Sequence, residues 1–209
     1  MKTTTIHHAC SLALVAFAVG CGGDRANTQP AASGPELRSA TAPPPRTAPD
    51  AHETTPSARG DLLAQLKDSK LTLAQGIEEA QTEHGPATSA KFELEHGKLA
   101  LSVYTATAGL DKDAEHNVLM ELIGDPTKEK WSPKSEVFED KAHITRASTH
   151  LTLVQRAKTT LSAVVAKATA RQPGTAYSIT PVVKDRKPAF DVLIATPDGK
   201  STKITIEAS

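Results

Sequence analysis

Residues 90–103 read AKFELEHGKLALSV, and apolar and polar side chains alternate on both sides of His96-Gly97. Alternation with a period of two is typical of a β-strand that buries one face. A two-residue turn at His96-Gly97 fixes the register of the two strands, and in that register the apolar pairs share one face. The pairs are Leu94 with Leu99, Phe92 with Leu101, and Ala90 with Val103. The stretch therefore predicts an antiparallel hairpin with one apolar side.

Residues 177–194, YSITPVVKDRKPAFDVLI, alternate in the same way around Asp185-Arg186. A third strand is expected to follow, because Pro197-Asp198-Gly199 suits a three-residue hairpin loop. The first hairpin has a longer connection to residues 118–122, and the sequence leaves their register open. The pairs predicted for the second hairpin and its third strand are Val183 with Pro188, Ile179 with Val192, Tyr177 with Ile194, Ile204 with Val192, and Ile206 with Phe190.

A five-residue motif predicts two helix starts. Leu71-Thr72-Leu73-Ala74-Gln75 recurs as Leu151-Thr152-Leu153-Val154-Gln155, a separation of 80 residues (151 − 71). Thr followed three positions later by Gln is the pattern of a capping box. We therefore expect one helix to end at Gly85-Pro86 and the other at Pro173-Gly174. The residues that line one side of each helix are Leu73, Ile77, Ala80 and His84 in the first, and Leu153, Ala157, Leu161, Val164 and Ala168 in the second.

These elements predict an α+β fold of two tandem units, each with one helix followed by a three-stranded antiparallel sheet. The first unit spans residues 61–124 and the second spans residues 149–209. Residues 125–148 form a polar linker with room for a short helix after Ser132-Pro133. Apolar spacing also favours a short helix over residues 61–69.

The N-terminal residues resemble a bacterial lipoprotein signal. Lys2 precedes an apolar stretch, residues 9–19, that is too short to span a membrane as a mature helix. The run Ala18-Val19-Gly20-Cys21 resembles a lipobox, which implies cleavage before Cys21 and a lipid on its thiol. An ordinary signal peptide that happens to end beside a cysteine is the alternative. We expect a signal peptide over residues 1–20 and a protein anchored in a bacterial cell membrane or outer membrane, facing the periplasm or the exterior.

Residues 21–60 predict a disordered tether. From Gly22 to Gly60 the only large aliphatic or aromatic residue is Leu37, and seven of the chain's 14 prolines fall there. A stretch of this composition cannot bury a core. We expect the tether to hold the folded part away from the membrane surface.

Cysteine and charge content exclude several functions for residues 61–209. Both cysteines, Cys10 and Cys21, precede this part, so it has no disulfide, thiol nucleophile or thiolate ligand. Five basic and four acidic residues also precede it, which leaves 19 Lys and Arg (24 − 5) against 20 Asp and Glu (24 − 4). A net charge of −1 does not favour nucleic acid as a partner.

Residues 61–209 carry no sequence motif for catalysis, metal binding or a cofactor. The histidines are His84, His96, His116, His143 and His150. They do not have the spacing of a zinc site. Histidines that are distant in sequence can still converge in a fold. Asp111, Asp113 and Glu115 alternate like the start of a calcium loop, but His116 stands where that loop needs glycine. We therefore expect no enzyme activity, no metal and no cofactor, with a weak cation contact at this loop as the alternative.

Trp131, the single tryptophan, has two interpretations. Tryptophan is enriched at binding hot spots, so Trp131 could contact a partner protein. Tryptophan is also highly buried on average, which favours a role in covering the seam between the two units. The sequence leaves both interpretations open.

Taken together, the motifs resemble the PepSY family, small modules first noticed in protease propeptides and bacterial envelope proteins. The resemblance covers about Lys70 to Ser209 as a tandem pair. It rests on the Leu-Thr-Leu-x-Gln helix starts, on Phe190-Asp191-Val192-Leu193-Ile194 leading to Asp198-Gly199-Lys200, and on Lys203-Ile204-Thr205-Ile206-Glu207-Ala208. It implies a helix packed on an antiparallel sheet, no catalytic residues, and a role in binding or restraining peptidases.

We therefore expect a non-enzymatic envelope lipoprotein that binds another protein, in the family's manner a peptidase, through strand edges or a sheet face. A structural spacer or assembly lipoprotein is the first alternative. A small-ligand carrier or metal-dependent hydrolase is a distant one. A binder should leave an edge or a face open, whereas a spacer should bury both between its units.

Overall fold

The computed structural model describes residues 56–208. The predicted signal peptide, Cys21 and the predicted tether up to residue 55 lie outside the described residues. Within the described part the fold is α+β, as predicted, with α-helices packed on an antiparallel sheet. The helices are α1 (Pro56–Gln65), α2 (Leu73–His84), α3 (Lys141–Ala157) and α4 (Leu161–Arg171), with a short 3-10 helix at Leu66–Asp68.

Seven strands in the described part form one sheet. They are β1 (Ala87–Glu95), β2 (Lys98–Ala106), β3 (Leu119–Gly124), β4 (Lys134–Val137), β5 (Thr175–Lys184), β6 (Lys187–Ala195) and β7 (Ser201–Glu207). Their order across the sheet is β4-β3-β2-β1-β5-β6-β7. The two hairpins therefore lie in one sheet, joined by β1 and β5, and not in two separate sheets as the sequence predicted.

The predicted register of the first hairpin is confirmed at all three apolar pairs. In the second hairpin Ile179 pairs with Val192 and Val183 pairs with Pro188 as predicted, but the pair Tyr177 with Ile194 is wrong. Ala176 takes the place opposite Ile194, because a β-bulge between Ala176 and Ser178 inserts Tyr177 as an extra residue. Both predicted pairs between β6 and β7 are confirmed. The register that the sequence left open places Leu122 of β3 opposite Val103 of β2.

The first predicted helix start is confirmed, and the second is wrong. Thr72 caps α2 through a complete capping box with Gln75. Thr152 instead lies inside α3, where its hydroxyl donates to the carbonyl of Ser148. A threonine hydroxyl can bond to the preceding helical turn as well as cap a helix. The motif alone does not distinguish the two positions.

The single long helix predicted for the second unit is two helices. α3 begins after Asp140, whose carboxylate accepts from the backbone N–H groups of Ala142 and His143. It ends at Lys158, which takes a left-handed conformation (φ 50°). Thr160 then caps α4 through the N–H of Ala163. The left-handed residue turns the chain between the helices, so the apolar positions predicted for one helix are divided between two.

Two further boundaries differ from the prediction. The segment after Ser132-Pro133 is the edge strand β4 and not a short helix, because its backbone pairs with β3, with Glu136 opposite Glu121. α1 begins at Pro56, so the last five residues assigned to the tether, residues 56–60, are helical. The short helix predicted over residues 61–69 is confirmed as the end of α1 and the 3-10 helix.

One main core joins the two hairpins. α2 and α4 lie on the face of the sheet that carries Phe92, Leu101 and Phe190, which we call the helix face. Burying these apolar side chains is the largest favourable contribution to folding. The opposite face, which carries Lys91, Tyr104 and Ser178, is the open face. The first part of α3 crosses the open face and packs on it through a small cluster of Ala106, Leu119, Ala147 and Leu151.

Candidate functional site

A groove of about 880 Å³ lies between α3 and the open face of the sheet. We call it the α3 groove. Its walls and floor come from α3, from the central strands β1, β2 and β5, and from the N-terminal turns of α1. Its lining includes Ser89, Lys91, Glu93, Tyr104, Phe138, His143, Arg146, His150, Ser178 and Thr180.

The groove opens where the two hairpins meet. β1 and β5 pair at only two positions, Ala90 with Ile179 and Lys91 with Ser178. A β-bulge interrupts β1 between Ala87 and Ser89, and the bulge at Tyr177 interrupts β5. Bulges bend and twist strands. The two strands therefore separate on both sides of this short junction, and within residues 56–208 the facing backbone beyond it has no strand-to-strand pairing.

Three stacked rings form one wall of the groove. The ring of Phe138 lies 5.9 Å from that of Tyr104 and 5.3 Å from that of His143, with interplanar angles of 29° and 16°. Asp140 holds the ring of His143 in place, because the Asp140 carboxylate bonds to Nδ1 of His143 and also caps α3. Stacked rings at these distances attract one another beyond the area that they bury. The wall therefore presents an apolar, preorganised surface.

An ion pair, a hydrogen bond and a cation–π contact hold the floor in place. Nζ of Lys91 lies 2.6 Å from a carboxylate oxygen of Glu93, and the hydroxyl of buried Ser102 donates to the other oxygen. Nζ of Lys91 also lies 5.9 Å from the ring centre of Tyr104, within the range of a cation–π contact. Burial, followed by the nearby carboxylate of Glu121, raises the pKa of the Tyr104 phenol above its ordinary value. The phenol therefore stays protonated.

Arg146 is the exception among the charged residues of the groove. Its guanidinium makes no ion pair and no hydrogen bond with the described residues. Arg146 nevertheless lines both the α3 groove and the adjoining pocket. It is close enough to Tyr104 and His150 to act on the pKa of each. The groove therefore contains one cation that has no direct partner in the part of the chain that the structure describes.

His150 lies deeper, between α3 and β1. Its Nδ1 is 3.2 Å from the hydroxyl of Ser89. Burial, and to a lesser degree the charge of Arg146, lowers the pKa of the His150 imidazole to about 4. The imidazole is therefore neutral at pH 7 and packs as a polar but uncharged part of the groove.

A smaller pocket of about 300 Å³ continues the groove toward β3 and β4. The carboxylates of Glu93, Glu95, Glu121 and Glu136 surround it, together with Lys91 and Arg146. Four acidic and two basic residues give this acidic end a formal charge of −2. The groove and the acidic end thus differ in charge, and Arg146 stands at their boundary.

The described residues contain no group of three or more His, Cys, Asp or Glu side chains placed to hold a metal ion. In the loop that was expected to be solvated, with a weak cation contact as the alternative, Nδ1 of His116 lies 2.7 Å from the carboxylate of Asp113. That contact lowers the pKa of the Asp113 carboxyl. No helix among the residues that the structure describes is long and apolar enough to cross a membrane.

Trp131 does not offer a partner an exposed surface. Only 5% of the residue is exposed, and it belongs to the main core. Its indole packs against Gly124 of β3, where an added Cβ would lie 2.7 Å from Nε1. The other predicted site residues, the run from Ala18 to Cys21, lie outside the described residues.

The chain matches no protein-family model, no curated protein and no solved structure. The resemblance to the PepSY family therefore rests on the sequence motifs alone. One of these motifs, residues 151–155, lies inside a helix and not at a helix start.

Sequence reasoning missed the residues that line the α3 groove. One signal was available, because His143, Arg146 and His150 are spaced by three and four positions and so share one side of a helix. Recognising it required a helix that begins at Asp140, whereas the prediction began the helix at Thr152. Tyr104 follows Val103 in an alternating strand, so the sequence places Tyr104 on the polar side of that strand. No neighbouring residue indicates which element packs over it.

Proposed function

We propose that this protein is a non-enzymatic lipoprotein, anchored outside the cytoplasm through Cys21, that binds an extended segment of another protein in the α3 groove. The observation that carries the proposal is the short junction of β1 and β5 at the floor of an open groove. Strand edges that lack a partner can pair with an added peptide. A spacer would be expected to cover this junction.

The chemistry of the groove also favours a peptide. Its volume lies in the range of sites that bury most of a bound ligand. The stacked wall supplies apolar contact for side chains. The hydroxyls of Ser89, Ser178 and Thr180 supply hydrogen-bonding groups for a backbone.

We also propose that the chain contains two PepSY-like units that share one sheet. The helix caps Thr72 and Thr160 are 88 residues apart (160 − 72), and the turns that begin at His96 and Asp185 are 89 apart (185 − 96). The bulged positions 88 and 177 are also 89 apart (177 − 88). This spacing supports a repeat of 88–89 residues, which replaces the 80-residue repeat of the five-residue motif. By resemblance to the family, the partner would be a peptidase.

Site-specific crosslinking tests the proposed binding site. A photoreactive amino acid at Thr180, in the groove, should capture one protein in the intact envelope. The same amino acid at Glu79, which is exposed on α2, should not capture it. The measurement is the mass of the adducts, followed by peptide sequencing. Adducts of equal yield from both positions, or no adduct from position 180, would contradict binding in the groove.

Substituting the proposed lipid attachment site tests the anchor. We expect Cys21→Ala to abolish labelling by a radioactive fatty acid and to release the protein from the membrane fraction, because no other lipidated thiol remains. Cys10→Ala is the matched control and should keep both label and membrane retention. Unchanged fractionation of Cys21→Ala would exclude the lipid anchor.

A further inference from the structure

The charge of the α3 groove indicates which segments it accepts. Three charged side chains line it: Lys91, Glu93 and Arg146. The first two neutralise each other at 2.6 Å, and the Glu93 carboxylate also accepts from Ser102. The third has no partner among the described residues. We infer that the α3 groove selects a segment that carries a carboxylate, which pairs with the guanidinium of Arg146.

The position of Arg146 suits this role. It lies on the side of α3 that carries His143 and His150, and it borders the stacked rings of the wall. A guanidinium beside a surface of this kind can bind a carboxylate through two parallel hydrogen bonds. The imidazole of His150 does not add a competing cation at pH 7, because it is neutral.

The acidic end restricts where that carboxylate can lie. Glu95, Glu121 and Glu136 line the smaller pocket and not the groove, and they would repel a carboxylate placed among them. Arg146 lines both, so a carboxylate in the groove can pair with the guanidinium without entering the smaller pocket. A bound segment should therefore place its acidic residue over the groove and keep acidic residues out of the smaller pocket. This orientation rests on the proposed function, since it assumes that the groove binds a peptide.

Selection from a random peptide library tests the inference without knowledge of the natural partner. The full lipid-anchored chain is displayed on phosphatidylcholine vesicles, which carry no net charge. A phage library of random twelve-residue peptides is selected against the wild type, Arg146→Gln and Arg146→Glu. Arg156→Gln is the matched control, because Arg156 is also exposed on α3 but does not line the groove.

We expect Asp and Glu to be enriched in the peptides selected by the wild type and by Arg156→Gln. The enrichment should disappear with Arg146→Gln and change to Lys and Arg with Arg146→Glu. A selected acidic peptide should bind Arg146→Gln about fivefold more weakly, as for a partly exposed ion pair.

The outcomes separate this inference from the proposed function. Equal acidic content in the wild-type and Arg146→Gln pools, or an equal loss with Arg156→Gln, would overturn the inference and leave peptide binding intact. If no peptide is enriched over protein-free vesicles by any of the four chains, the proposed function fails as well.

Discussion

Replacing Phe190 with alanine should lower the free energy of unfolding of the whole described fold by about 3–5 kcal/mol. Phe190 lies on β6 and is fully buried in the main core. Removing its ring leaves a cavity that close-packed neighbours cannot fill completely. Because that core contains side chains from both hairpins, the loss should destabilise the two hairpins together.

Trp131 provides the readout for this prediction. It is the single tryptophan and packs beside β3, whereas Phe190 lies in the other hairpin. We expect urea unfolding of Phe190→Ala to shift to lower concentration to the same extent by Trp131 fluorescence and by circular dichroism. Val183→Ala is the control and should change stability by less than about 0.5 kcal/mol, since Val183 is 64% exposed. A shift in the dichroism alone would mean that the hairpins unfold independently.

The strand registers could be predicted because they depend on local information. A hairpin turn of known length determines every pair on either side of it, and the apolar residues then identify the buried face. The only wrong pair, at Tyr177, arises from a bulge. The extra residue at this bulge is held by a distant contact, since the Tyr177 hydroxyl bonds to that of Ser201 on β7. Nothing within residues 177–194 indicates that contact.

The single sheet could not be predicted, because it depends on one junction between distant residues. Lys91 pairs with Ser178, and each hairpin is self-consistent without that contact. The prediction of separate units assumed that one helix is enough to cover the apolar face of each hairpin. In the structure α2 and α4 share one core, and α3 leaves that layer to cross the open face.

The α3 groove was hidden from sequence reasoning for a related reason. Its chemistry arises where α3 faces strands from both hairpins, so Arg146, Tyr104 and Ser178 meet only after the sheet is complete. The sequence shows that the second side of each strand is polar. It does not show which polar residues pair with one another and which, like Arg146, find no ion-pair partner among residues 56–208.

Lowering the pH from 7 to 4.5 should destabilise the wild type by about 2 kcal/mol more than a variant with His150→Gln. The pKa of His150 is lowered to about 4 in the folded protein, whereas an unfolded histidine titrates near its ordinary value of 6.5. Below pH 6.5 the unfolded state therefore binds a proton that the folded state does not. Stability contributed by the neutral imidazole is present above pH 6.5 and is lost as the pH falls toward 4.

The measurement is the urea midpoint of wild type, His150→Gln and His96→Asn at intervals between pH 7 and pH 4.5. His96→Asn is the control and should keep the wild-type slope, because His96 is exposed in the β1–β2 turn and asparagine tolerates its left-handed conformation (φ 51°). Asp140 and Asp198 do not dominate this window, since hydrogen bonds lower the pKa of each carboxyl below its ordinary value of 3.8. A slope unchanged by His150→Gln would mean that α3 does not hold this imidazole away from water, and the α3 groove would then be more open than its walls indicate.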